Sequence, residues 1–201
     1  PTVKRCVETA GIGFLFAPLM HKAMKHAAGV RKELGFRTIF NLLGPLTNPA
    51  NAEAQVLGVF DAKWVQPMAE VLADLGCSHA LVVHGADGLD EITLTGESHI
   101  AELKKGKIKN YKIDPDELGL EICFSEDLKG GTPEENAAII EGILNSQTGP
   151  KRDIVVLNAA AAIYVAGKAK SIELGVACAI ESIDSGKARD KLKELCKISN
   201  S

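Results

Sequence analysis

The residues able to do chemistry fall into two sets, a pair of arginines ahead of a chain break and a short run of acids. Arg31 and Arg37 lie six residues apart in RKELGFRTIFNLLGPLTNPA, Arg31 to Ala50, and bracket Leu34 and Gly35. A guanidinium offers a rigid fork of donors that matches a carboxylate through two parallel bonds, so this stretch suits a planar anion. The break is written at Gly44-Pro45 and again at Asn48-Pro49. Gly44 frees the backbone, and Pro45 fixes its own φ while pushing Gly44 out of the helical region. That predicts a helix ending at this point and a hinge beside it. The acids are Asp87-Gly88-Leu89-Asp90-Glu91, three carboxylates within five residues. They can hold Mg²⁺ through one or two oxygens, with water and substrate phosphates completing the octahedron, although a solvated acidic turn is the plainer reading of the same string. His21 and Lys25 stand four apart and share a helical face, where His21 and Met24 suit a helix contact as readily as a pocket wall.

The elements that must position these groups follow from periodicity and punctuation. Ala54 to Phe60 is a short β-rich run, Trp64 to Leu75 has helical spacing closed by Gly76, and His79 to His84 is an apolar run too short for a helix. Strand, helix and strand with turn-sized joints make a βαβ unit, and continuous apolar strands imply a parallel sheet covered on both faces. The acidic string then falls just past the carboxyl end of a parallel strand, where open α/β sheets collect ligands. Ile92 to Thr95, His99 to Leu103 and Ile108 to Ile113 read as an antiparallel meander, with Lys104 to Lys107 as the hairpin tip.

Thr132-Pro133-Glu134-Glu135 is a capped helix start that carries to about Asn145. Gly130-Gly131 ahead of it could turn backbone N–H groups toward an anion or form a plain loop. Lys151 to Gly167 predicts a buried, alanine-rich helix, and Ser171 to Ser185 and Lys187 to about Lys197 predict two more. The fold class expected is α/β, a mostly parallel sheet with helices on both faces plus an appended antiparallel hairpin.

Composition narrows the field. A chain of 201 residues with 46% hydrophobic content can bury a substantial core, and a net charge of −3 with interspersed signs offers no broad footprint for nucleic acid. Five scattered cysteines without a CxxC pair argue against a zinc cage or a disulfide framework and fit a reducing cytoplasm. No run of 18 apolar residues offers a membrane span.

Four strings together resemble the anthranilate phosphoribosyltransferases: GIGFLFAPLMHKAMK from Gly11, the Arg31 to Ala50 stretch, DGLDE from Asp87, and NAAAAIYVAGKA from Asn158, in the family's order. The resemblance runs from about Gly11 to the C-terminus. It implies a small helical domain against a larger α/β domain with the site between them. Residues 1–15 would be the N-terminal helix of the α/β domain, 16–48 a segment of the helical domain, and 49–201 the α/β domain. The substrates implied are anthranilate and phosphoribosyl pyrophosphate, with Mg²⁺ as cofactor, no membrane or nucleic-acid partner, and a homodimer in the full-length protein. In that likeness Arg31 pairs with the anthranilate carboxylate, His21 lines the ring pocket, Gly44 and Pro45 form the hinge that touches anthranilate, and Asp90 and Glu91 bind the metal. No residue is assigned as a general base. The family's GTGGD and KHGNR segments do not occur in these 201 residues, so the chain by itself is expected not to turn over. A pyrimidine nucleoside phosphorylase of the same architecture is the nearest rival, and a nucleic-acid-binding relative is another.

Overall fold

The computed structural model describes residues 2–16, 33 and 40–201 of the chain. These divide into two compact units, residues 1–52 with 190–201 and residues 53–189. In the first, α1 (Thr2–Ala10) buries Cys6 and Ala10, and Arg5 Nη2 donates to the backbone carbonyls of Ile198 and Ser201 at 2.7 and 2.6 Å. Helix α2 (Phe40–Leu46) contains Pro45 rather than ending before it. A proline near the end of a short helix removes only one N–H from the ladder. The turn closes one residue later, where Thr47 donates both its N–H and its hydroxyl to the Leu43 carbonyl at 3.1 and 2.9 Å.

The second unit is built on one sheet with strands side by side in chain order: β1 (Ala54–Gly58), β2 (His79–Gly85), β3 (Ser98–Lys104) and β4 (Lys107–Ile113). β1 and β2 run parallel, joined through α3 (Val65–Asp74), and the β2–β3 and β3–β4 pairs are antiparallel. The expected α/β class holds, and the parallel part within the described residues is the single β1–β2 pair. The β3–β4 hairpin turns on Lys105 and Gly106, both at positive φ (51° and 74°), which matches the right-handed strand twist.

Both faces of β2 are buried. Leu81 and Val83 join Ile100 and Ile113 in a core completed by α5 (Pro150–Val165) and α6 (Ile172–Asp184), with Val156, Leu157, Ala160 and Ala161 fully buried. Ala80 and Val82 alternate to the other face, where α3 buries Met68, Ala69 and Leu72. Each large apolar side chain withdrawn from water here contributes roughly 1.5–3 kcal/mol. Helix α4 (Pro133–Leu144) starts at the expected cap: Thr132 Oγ1 accepts from Glu135 N, and Thr132 N donates to the Glu135 carboxylate. Helix α7 (Lys187–Ser199) ends the chain's regular structure.

Ile92 to Thr95 is not a strand. Ile92, Thr93 and Leu94 are wholly buried, but their backbone is bonded outside any ladder: Thr93 N donates to Ser98 Oγ at 2.9 Å, Ile92 is held by Asn158, and the Leu94 carbonyl accepts from Cys123 N at 3.1 Å. The alternation in the sequence reflects a buried loop, not a ladder.

Candidate functional site

The acidic string forms a tight loop directly after β2. Gly85 N donates to the Leu89 carbonyl at 2.9 Å and Gly88 N to the Gly85 carbonyl at 2.9 Å, folding the loop back on the strand end. Asp87 points into this fold. Its Oδ2 accepts from the hydroxyls of Thr93 and Thr95 at 2.6 and 2.8 Å, and its Oδ1 from Leu89 N at 3.1 Å. Burial alone would push the Asp87 carboxyl up; the two threonine hydroxyls and the Leu89 N–H outweigh it and hold the group below its ordinary value. Of the three carboxylates expected at a metal, Asp87 is therefore occupied as a clamp.

Asp90 and Glu91 are both exposed, and among the described residues neither carboxylate has a hydrogen-bond or ion-pair partner. Burial, and then the charge of Asp90 beside it, pushes the Glu91 carboxyl up. Two neighbouring carboxylates that repel each other and lack protein donors are a pair that a cation would relieve. Among the described residues no group of three or more His, Cys, Asp or Glu side chains could enclose a metal ion. Two adjacent exposed carboxylates are a donor set that fits Mg²⁺, which keeps its waters and takes one or two carboxylates together with substrate phosphate oxygens.

Three features pin this loop. Gly58 closes β1, and a Cβ there would overlap the Asp90 carbonyl oxygen, so only a glycine lets the loop lie on the strand end. Asp87 clamps one end through Thr93 and Thr95. Asn158, from the middle of α5, clamps the other: its Oδ1 accepts from Ile92 N at 3.0 Å, and its Nδ2 donates to the Ile92 carbonyl at 2.8 Å and to the Ile154 carbonyl at 3.0 Å. The signal for Asn158 is a single polar side chain in the apolar run VVLNAAAAI. Nearby, buried His84 donates from Nδ1 to the Val59 carbonyl at 2.8 Å and ties the chain after β1 to β2.

The other candidates are placed as follows. Arg31 and His21 lie outside the described residues. Gly44 and Pro45 lie in α2 of the first unit, within the helix and not past its end. Of the Gly130-Gly131 pair, Gly131 donates its N–H to Asn136 Oδ1 at 2.8 Å, and the next N–H, of Thr132, goes to the Glu135 carboxylate at 2.7 Å, so both serve the helix cap.

Fold and loop define an α/β protein that presents a bare carboxylate pair past the end of a parallel strand. The model of the glycosyl transferase family, a/b domain, matches residues 1–189, and the chain belongs to that family. The anthranilate phosphoribosyltransferase of Acetivibrio thermocellus is 55% identical over 199 residues, 99% of this chain and 58% of the relative. That of Methanosarcina barkeri is 56% identical over 192 residues, 96% of this chain and 52% of the relative. The crystal structure of anthranilate phosphoribosyltransferase from Thermus thermophilus matches with a TM-score of 0.92 at 49% identity, covering 100% of this chain and 59% of that one. The Saccharomyces cerevisiae enzyme in complex with PRPP and Mg matches with a TM-score of 0.90 at 28% identity, covering 99% of this chain and 57% of that one. The chain spans a little over half the length of the relatives it matches.

Proposed function

We propose that this chain serves the transfer of the phosphoribosyl group from phosphoribosyl pyrophosphate to the amine of anthranilate in tryptophan biosynthesis, within a cytoplasmic homodimer of the full-length protein. The observation that carries the reading is the donor-free Asp90–Glu91 pair, in a chain 55% identical to an anthranilate phosphoribosyltransferase. In this scheme a C–N bond forms at the ribose anomeric carbon as the C–O bond to pyrophosphate breaks; pyrophosphate leaves with the electron pair and the amine proton goes to solvent. Asp90 and Glu91 hold Mg²⁺ for the pyrophosphate. When bound, the ion supplies positive charge against the departing group.

Arg31 grips the anthranilate carboxylate, His21 lines the ring pocket, and Gly44 and Pro45 touch anthranilate. An aromatic amine is a weak nucleophile that gains more from being held in line than from deprotonation, so orientation and electrostatics carry the barrier reduction without an assigned general base.

The test uses the complete polypeptide. Arg31→Ala should raise KM for anthranilate and lower kcat/KM by about 10–100-fold, the worth of a charge-assisted bidentate contact. Arg37→Ala, measured beside it, locates the fork. A loss confined to Arg37→Ala would move the contact six residues along the chain, and no loss in either variant would overturn the assignment. Turnover of uridine with phosphate, and none of anthranilate, would transfer the chain to the phosphorylase reading.

A further inference from the structure

We infer that Asn158 is the positioning residue that holds Glu91 of the Asp90–Glu91 pair in place for its cation. The inference rests on the function proposed above. The Ile92 N–H that Asn158 accepts belongs to the Glu91–Ile92 peptide, whose carbonyl carbon is Glu91's own. Holding that plane restrains the ψ angle of Glu91 and so the direction in which its Cα–Cβ bond leaves the loop. The same amide donates to the Ile92 carbonyl, so the residue after the pair is bonded on both sides as a strand partner would bond it. Only a planar primary amide offers an acceptor and a donor side by side for this.

The third bond, from Nδ2 to the Ile154 carbonyl one turn back on α5, locks the amide's rotamer and orientation. The platform beneath is rigid, because Leu157, Ala160 and Ala161 on the same helix are fully buried, and Ile92 itself is wholly buried where the loop lands. The backbone of Asp90 lies close against Gly58, away from the Asn158 amide bonds. Asp87 acts through Thr93 and Thr95 and does not touch the Glu91–Ile92 peptide. Asn158 holds the backbone beside Glu91 and not the carboxylate itself, one bond further out than a direct partner of a metal ligand, so its removal should fall at the low end of the range of about 10–100-fold that such partners are worth in metal affinity.

The test compares Asn158→Ala and Asn158→Asp with Val156→Ala, a packing change on the same helix, all in the complete polypeptide. Mn²⁺ affinity is titrated by electron paramagnetic resonance with phosphoribosyl pyrophosphate present and anthranilate absent. Asn158→Ala should weaken Mn²⁺ about 10-fold, the low end of the range for outer partners, and raise the apparent KM for Mg²⁺ in step, with KM for anthranilate unchanged and kcat restored at high Mg²⁺. Asn158→Asp, which keeps the acceptor for Ile92 N but turns a carboxylate oxygen toward the Ile92 and Ile154 carbonyls, should weaken Mn²⁺ at least as much, and it carries the test if the alanine variant does not fold. Val156→Ala should lower the melting temperature and leave Mn²⁺ affinity alone. Unchanged Mn²⁺ affinity in both Asn158 variants, or an equal loss in Val156→Ala, would overturn the inference. Failure of the unsubstituted protein to transfer phosphoribosyl to anthranilate is a separate outcome, which overturns the proposed function and this inference with it.

Discussion

The two ends of one strand treat carboxylates in opposite ways. At the amino end of β2, Glu102 on the neighbouring strand accepts from Tyr164 Oη at 2.6 Å, His79 Nε2 at 3.1 Å and Tyr111 Oη at 3.2 Å, with only 12% of its side chain exposed. Lys104 completes the group by donating to Tyr164 Oη at 2.8 Å and standing over its ring. At the carboxyl end, Asp90 and Glu91 face solvent and, among the described residues, receive no donor. Burial alone would push Glu102 up, but hydrogen bonds from Tyr164, His79 and Tyr111 hold it below its ordinary value; Glu91, without donors, is pushed up by burial and by Asp90. The lesson is that a carboxylate given donors stabilises the fold, while an adjacent pair without them, set just past a strand end, leaves its oxygens open to a cation.

The sharpest way to break this contrast is to neutralise each end in turn. Asp90→Asn combined with Glu91→Gln should abolish metal-dependent transfer by the complete polypeptide, a loss beyond the roughly 100-fold ceiling of outer-shell substitutions. Thermal stability should hold or rise slightly, because the change removes a repulsion and no hydrogen bond. A fall in melting temperature with transfer intact would make the pair structural and end the comparison.

Glu102→Gln should do the reverse and cost roughly 1–3 kcal/mol, the range for hydrogen bonds to a buried charged group, with little effect on the apparent KM for Mg²⁺. The pH dependence has a definite sign. Glu102 has a folded value below its unfolded 4.5, so its contribution is fully present above pH 4.5 and is lost as pH falls through the folded value. The stability gap between the unsubstituted protein and the Glu102→Gln variant, read by denaturant melts, should be constant above that pH and narrow below it. A gap that widens on acidification would contradict the network.

Much of this arrangement is legible in the sequence, and what is not has a common cause. The Thr132 cap, the Gly76 stop and the apolar run of β2 each depend on residues within a few positions, and all three are present as read. The place of the acidic string past β2 follows from the same local logic. The inward turn of Asp87 does not, because it depends on hydroxyls six and eight residues away. Ile92 to Thr95 reads as a strand and is not one, because alternation reports burial, not whether a ladder or side chains satisfy the backbone. The helix through Pro45 survives its proline because Thr47 closes the turn from outside it. Gly58 and Asn158 are invisible as site residues because each acts on a loop distant in sequence, 66 positions away for the Asn158 bonds to Ile92.

Asp87 tests whether donors alone decide a carboxylate's role, since it sits in the same loop as the bare pair yet is bonded like Glu102. Thr95→Val removes one of its two hydroxyl donors while keeping the side chain's volume. Asp87 retains Thr93 Oγ1 and Leu89 N, and the site is solvent-exposed, so the loss should be small, about 0.5–1 kcal/mol. Because Asp87 is held below its unfolded 3.8, the stability it contributes is present above pH 3.8 and lost as pH falls through the folded value. The variant should therefore lose less stability than the unsubstituted protein on acidification across that window, as read by urea midpoints at stepped pH. Mg²⁺ dependence of transfer should move less than in Asn158→Ala, since Thr95 acts on the end of the loop away from Glu91. A shift in metal affinity as large as that of the asparagine variant would mean that the loop moves as one body, with the donor pattern at each acid secondary to its overall rigidity.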